Sequence, residues 1–313
     1  MVPLRTVLPT TAEFWAIASK YRYHHYETTP SIRELSASPS DEHLLEILDG
    51  PFRSIDDTAR RLGQAEGYLR SCQDRRSVFL TVYTTMTANV QSGIQSGFFT
   101  DPDWVREYVI TFAEYYRRAA VAFECRDFES VPRPWQLAFA ASITGERLVA
   151  QDALLGINAH INYDLTYTLT ELSIDSDRES KRADHDRINE ILGRLVDVVQ
   201  DTLVAVYAAL GVSELDELLG SLDEELAVFG FRQSRHLAWR NAVLYTDVPS
   251  RLVQQYVGWR TQAVANGAAC VLLNSWVDAR LLQRLRDEEA RGRPLATFHS
   301  ELSQWRPAEE EYN

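Results

Sequence analysis

A chain of 313 residues, 45% hydrophobic and 25% charged, is long enough to bury a sizeable core in one large domain. Its formal net charge of -13 repels phosphate backbones and argues against sequence-independent nucleic-acid binding. Cys72, Cys125 and Cys270 lie far apart with no CxxC pair, which speaks against a disulfide framework and a zinc knuckle.

In chain order, Thr10-Thr11-Ala12-Glu13 is a capping box that opens a helix towards Tyr26. Ser54-Ile55-Asp56-Asp57 opens a second, running to about Cys72. Asp101-Pro102-Asp103 supplies an N-cap, a proline at the first helical position and an acid in the first turn, and the helix runs to about Phe123. Val131-Pro132-Arg133-Pro134 breaks the chain before a new helical stretch from Trp135. Helical periodicity continues through about 144–172, 184–210, 232–246 and 250–286. β-branched alternation is scarce, and no Asn-Gly or Asp-Gly turn sits between strand-like runs. The expectation is an all-α protein: one domain over residues 1–313, of roughly ten helices packed around a central buried helix at about 144–172. The charge-dense stretch 175–186 reads as an exposed connection.

The central helix carries Gly156-Ile157-Asn158-Ala159-His160-Ile161-Asn162-Tyr163-Asp164-Leu165. At about 100° per residue, His160 and Asp164 stand one turn apart on one side, with Glu146, Ala153, Gly156, Tyr167 and Glu171 on the same stripe. Asn158 and Asn162 form a second stripe nearly opposite, and leucines and isoleucines fill the flanks. A helix apolar on its flanks and polar on two narrow stripes is surrounded by other helices. Burying a histidine, a carboxylate and two amides is costly unless each finds a partner. A His–Asp pair at this spacing can ligate a divalent metal, or the carboxylate can orient the imidazole as a general base. Alternatively the four groups form an internal network that holds helices together. Gly156, one turn before His160, removes a side chain where a partner backbone or a ligand can approach.

The run Asn158-Ala159-His160-Ile161-Asn162-Tyr163-Asp164-Leu165 resembles the signature of domain-of-unknown-function family 5995. Supporting pieces are Phe52-Arg53-Ser54-Ile55-Asp56-Asp57, Phe98-Phe99-Thr100-Asp101-Pro102, Phe112-Ala113-Glu114-Tyr115-Tyr116, Pro134-Trp135, Arg187-Ile188-Asn189, and Arg235 to Ala242. Together they span about residues 50–250. The resemblance implies a helical fold and carries over no activity, cofactor or catalytic residue.

Two further groupings stand out. Arg232, Arg235, His236, Trp239, Arg240 and Asn241 share one helix, where an Arg–Trp face suits an anionic group, although arginines ordinarily pair with surplus carboxylates. Phe112, Tyr115 and Tyr116 form an aromatic face that matters to the site only if it reaches His160. His24 and His25 lie in an aromatic N-terminal stretch. No GxSxG elbow, P-loop, GxGxxG or HExxH is present. Only Lys20 and Lys181 are lysines against 30 arginines, a bias that fits a GC-rich or salt-loving source.

The expected function is therefore that of an enzyme acting on a small-molecule ligand by hydrolysis or proton transfer. His160 and Asp164 are its catalytic pair and its candidate metal ligands. Asn158, Asn162, Tyr163, Tyr167, Tyr116, Arg235 and Trp239 are candidates to line the substrate. A haem on His160 lacks any attachment motif. The alternative is a non-catalytic helical module that binds an apolar small molecule or a partner protein. With no signal peptide and no apolar run of membrane-spanning length, the expected location is the cytoplasm and no membrane partner is expected. The oligomeric state is left open.

Overall fold

A computed structural model describes residues 7–22, 40–209, 230–274, 279–290 and 293–304. Among them there are helices and no strand, so the protein is all-α. The helices are α1 (Thr11–Arg22), α2 (Glu42–Ile47), α3 (Ile55–Ser71), α4 (Arg76–Gln95), α5 (Pro102–Glu124) and α6 (Arg133–Thr144). A continuous rod follows, built from α7 (Val149–Asn158), a π-helical turn (Ala159–Asp164) and α8 (Leu165–Glu171). Then come α9 (Arg178–Ala209), α10 (Phe231–Asp247), α11 (Arg251–Leu273), α12 (Ala279–Glu289) and α13 (Arg293–Gln304). No described helix is long and apolar enough to cross a membrane.

The helix starts follow from local chemistry. Thr10 and Glu13 exchange side-chain and backbone bonds in the expected capping box. Ser54 accepts from Asp57 N at 3.1 Å, and Asp101 accepts from Trp104 N at 3.0 Å behind the proline at the start of α5. Val149 N donates to Glu289 at 3.0 and 3.1 Å, so a buried carboxylate from α12 sits on the positive end of the rod.

The rod is the centre of the molecule. Every residue from Val149 to Asn162 is buried. Its α7 part packs on α4, α6 and α11, its π turn on α5, α6, α10 and α11, and α8 on α5 and α10. Helices α3 and α4 form an antiparallel pair, and α13 lies across α4 and α9.

Three sequence expectations need correction. The rod begins at Val149 rather than 144, because Gly145 adopts φ 62° and ends α6, so Glu146 is not on the His160 stripe. The connection expected at 175–186 is shorter: α9 starts at Arg178 and buries Asp184 and His185. Their polarity is answered inside the fold, Asp184 accepting from Thr100 N at 2.8 Å and Asp101 N at 2.7 Å. The stretch 250–286 is not one helix, since α11 ends at Leu273 and α12 begins at Ala279. His24 and His25 lie outside the described residues.

Candidate active site at the centre of the rod

The backbone of the rod changes register where its polar residues lie. Leu165 N–H donates to His160 O, five residues back, so the turn that carries His160 and Asp164 is π-helical. Single π turns inside α-helices recur at functional sites. Here the turn holds His160 Nδ1 2.9 Å from Asp164 Oδ2, and both side chains are buried. Trp135 of α6 donates its Nε1–H to the same oxygen at 2.8 Å.

An aromatic shell surrounds the imidazole. Phe112 of α5 stacks flat on it, with centroids 3.5 Å apart and planes 11° apart. Tyr83 meets it edge-on at 4.5 Å and Phe79 at 5.8 Å, both from α4, and Trp135 lies 5.9 Å away. Gly156 makes this possible: a Cβ there would fall 2.5 Å from Phe79 Cγ. The close approach expected beside Gly156 is made by the Phe79 side chain, not by a partner backbone or a ligand. Phe79, Tyr83 and Trp135 are buried, whereas Phe112 is only partly so. Phe112 is therefore the shell ring that reaches towards solvent.

Burial in this shell holds His160 well below the ordinary histidine range and pushes Asp164 well above the carboxylate range, the Trp135 hydrogen bond offsetting only part of the latter. Trp135 can only donate, so Asp164 Oδ2 accepts, and the same oxygen suits a hydrogen on His160 Nδ1. Nε2 then carries the lone pair. His160 Nε2, Asp164 Oδ1 and the Tyr83 hydroxyl are all buried with no hydrogen-bond partner. The Tyr83 hydroxyl is held well above its ordinary value by burial and by the nearby Asp164 charge. Unsatisfied buried polar atoms are uncommon in folded proteins, and three of them gather around one imidazole here. For a divalent metal, His160 and Asp164 provide two donors that bond each other, and among the described residues no group of three or more His, Cys, Asp or Glu is placed to hold an ion.

The other residues singled out in the sequence are distributed as follows. Tyr116 is buried one ring away, against Phe79, Tyr83 and Trp135. Asn158 and Asn162 face away from the imidazole: Asn158 Nδ2 donates to Ala265 O in α11 at 2.9 Å, and Asn162 Nδ2 to Asn158 Oδ1 at 3.0 Å. Their geometry ties the rod to α11. Tyr163 and Tyr167 are half-buried at 5.1 Å from each other, and Tyr167 neighbours Tyr115, whose hydroxyl donates to Glu171 at 2.9 Å. Arg235 and Trp239 gather around His185, not His160. Arg240 pairs with Glu13 at 3.4 Å, as expected of an arginine in an acid-rich chain. Sequence reasoning missed Phe79, Tyr83 and the role of Trp135. The only local signal was the density of aromatic and hydroxyl residues in Val78 to Thr87.

A further histidine, His299, is buried away from the rod. His299 of α13 places Nε2 3.2 Å from Ser77 Oγ and Nδ1 3.5 Å from Glu66 Oε1, the order of a Ser–His–acid triad. The Ser77 hydroxyl, however, donates to Asp74 O at 2.6 Å, so the imidazole does not take its proton. His299 instead fastens α13 to α4. Burial lowers its pKa from 6.5 to about 4. The native state thus binds this proton less readily than the unfolded chain, and the contribution is fully present above pH 6.5. It is lost as the pH falls from 6.5 towards 4. Unfolding titrations at pH 7 and pH 5 are expected to differ by about 2 kcal/mol through this residue. His299→Asn would remove most of that difference, and an unchanged pH dependence would contradict the assignment.

No curated protein and no solved structure matches the chain. A family model does match it over residues 55–275, which takes in α3 to α11 and the whole His160 shell. With most of its length inside that match, the protein belongs to the family of unknown function DUF5995.

Proposed function

We propose that this protein is an enzyme that performs proton-transfer or hydrolytic chemistry on a small, largely uncharged molecule. His160 Nε2 is the general base, Asp164 orients the imidazole through Nδ1, and the Tyr83 hydroxyl donates to charge that develops on the substrate. The observation that carries this reading is the set of three unpartnered polar atoms, His160 Nε2, Asp164 Oδ1 and Tyr83 Oη, inside an otherwise aromatic shell. A network that served packing alone would have satisfied them. The aromatic walls favour an uncharged substrate, since a charge would lose its hydration without compensation. The partly buried Phe112 ring is the route of entry, and its displacement exposes the imidazole face.

The test is turnover of a panel of small esters, lactones and enolisable ketones by the wild type and by His160→Gln. The variant is expected to lose about 10²–10⁴-fold in rate. Turnover that survives the substitution would contradict the assignment. So would a wild type inert on the whole panel whose Phe112→Ala variant is inert too. That result favours the non-catalytic helical module.

A further inference from the structure

We propose a second site, independent of the dyad, in which Arg235, His185 and Trp104 bind the oxyanion group of a small molecule, a carboxylate or a phosphate. Arg235 of α10 is 3% exposed, yet everything it touches is neutral. Its Nε donates to Asn189 Oδ1, and its Nη2 to His185 O at 3.0 Å, to His185 Nδ1 at 3.3 Å and to the Tyr108 hydroxyl at 3.4 Å. Among the described residues no carboxylate lies within ion-pair distance of it. A buried cation without a counter-ion is costly. The nearby acids are already committed: Asp186 to Arg182 at 2.8 Å, and Asp184 to Arg187 at 2.7 Å and two backbone N–H groups.

The histidine beside it points to the sign of the missing partner. A guanidinium can only donate, so His185 Nδ1 accepts and its hydrogen is on Nε2. The Tyr108 hydroxyl, 3.0 Å from Nδ1, completes a consistent chain by accepting from Arg235 and donating to His185. Burial, together with the Arg235 and Arg182 charges, keeps this imidazole neutral. His185 Nε2–H is then a buried donor without an acceptor, and Trp104 Nε1–H is another. All three groups surround Tyr108: Trp104 at 5.1 Å and His185 at 6.0 Å between ring centroids, and the Arg235 guanidinium 6.0 Å from the ring centre. Trp239 packs on His185 at 5.1 Å and supplies an apolar wall. The dyad leaves lone pairs unmet, whereas this cluster leaves N–H groups and a positive charge unmet. An oxyanion is the ligand class that offers acceptors for these N–H groups and a counter-charge for Arg235.

The two sites flank one turn of α5, Tyr108 facing the cluster and Phe112 covering His160.

Isothermal titration of the full chain with inorganic phosphate and, separately, with acetate, against sodium chloride at equal ionic strength, tests the proposal. Saturable binding of phosphate alone assigns a phosphate group, and saturable binding of acetate alone or of both assigns a carboxylate-compatible site. Trp104→Phe keeps the bulk of the ring and removes one donor, and is expected to weaken binding about tenfold. Arg235→Gln is expected to abolish it, and if that variant does not fold, Trp104→Phe still decides. Binding of neither anion beyond the chloride control, or equal affinity in Trp104→Phe, would overturn the site.

Discussion

Gly156→Ala is expected to destabilise the protein by about 3 kcal/mol or more, although the same change in most helix interiors is stabilising. The added Cβ falls 2.5–2.7 Å from Cγ, Cδ2 and Cβ of Phe79, and Cβ is fixed by the backbone, so no rotamer change relieves the whole clash. Phe79 has no room to retreat, because Tyr83, Tyr116, Trp135 and His160 pack around it. Gly67 of α3 is the internal comparison: a Cβ there meets nothing within 4 Å. Gly67→Ala is therefore expected to stabilise by about 0.5–1 kcal/mol, so one substitution type gives opposite signs at two helical sites. Chemical denaturation of the two variants measures both. A neutral or stabilising Gly156→Ala would mean that Phe79 does not close on the rod as described.

The second large effect is at Asp164. Asp164→Ala leaves the Trp135 Nε1–H and His160 Nδ1–H groups buried without an acceptor and is expected to cost about 3–5 kcal/mol. Asp164→Asn separates stability from chemistry. Its carbonyl oxygen, in the place of Oδ2, still accepts from both Trp135 Nε1 and His160 Nδ1, so the imidazole keeps its tautomer while the carboxylate beside it is lost. The fold is expected to persist with a loss of about 1–2 kcal/mol, while the imidazolium formed during turnover loses its carboxylate partner. Under the proposed function, turnover falls, but less far than in His160→Gln, because the imidazole keeps its tautomer. An Asp164→Asn variant with full turnover would remove the Asp164 charge from the mechanism.

Much of the architecture was legible in the chain because it depends on local rules. Ser54, Asp101-Pro102 and the Thr10/Glu13 box start helices where short-range hydrogen bonding dictates. The burial of the rod followed from apolar flanks beside two polar stripes, and His160 with Asp164 on one stripe and the asparagines on the other are arranged as the periodicity predicts. What could not be read was long-range. Trp135 reaches Asp164 across 29 residues, and Tyr83 meets His160 from another helix, choices made by helix packing rather than by spacing. The π turn is a shift in backbone register with no residue-type marker. The stretch 175–186 misled because charge density normally means solvent, whereas Asp184 and His185 are buried against α5 and α10 through partners distant in sequence. Arg235 and Trp239 were grouped correctly with each other and assigned to the wrong histidine for the same reason.

The central claim is that the rod holds a neutral imidazole with its hydrogen on Nδ1 and its lone pair free on Nε2. The most direct measurement is a long-range proton–nitrogen NMR titration of the seven-histidine protein, with His160 assigned by the His160→Gln variant. The account predicts an Nδ1–H tautomer for His160, unprotonated at Nε2 at pH 6.5, since burial holds it well under its ordinary value. Hydrogen on Nε2, or an imidazolium already formed at pH 6.5, would contradict it.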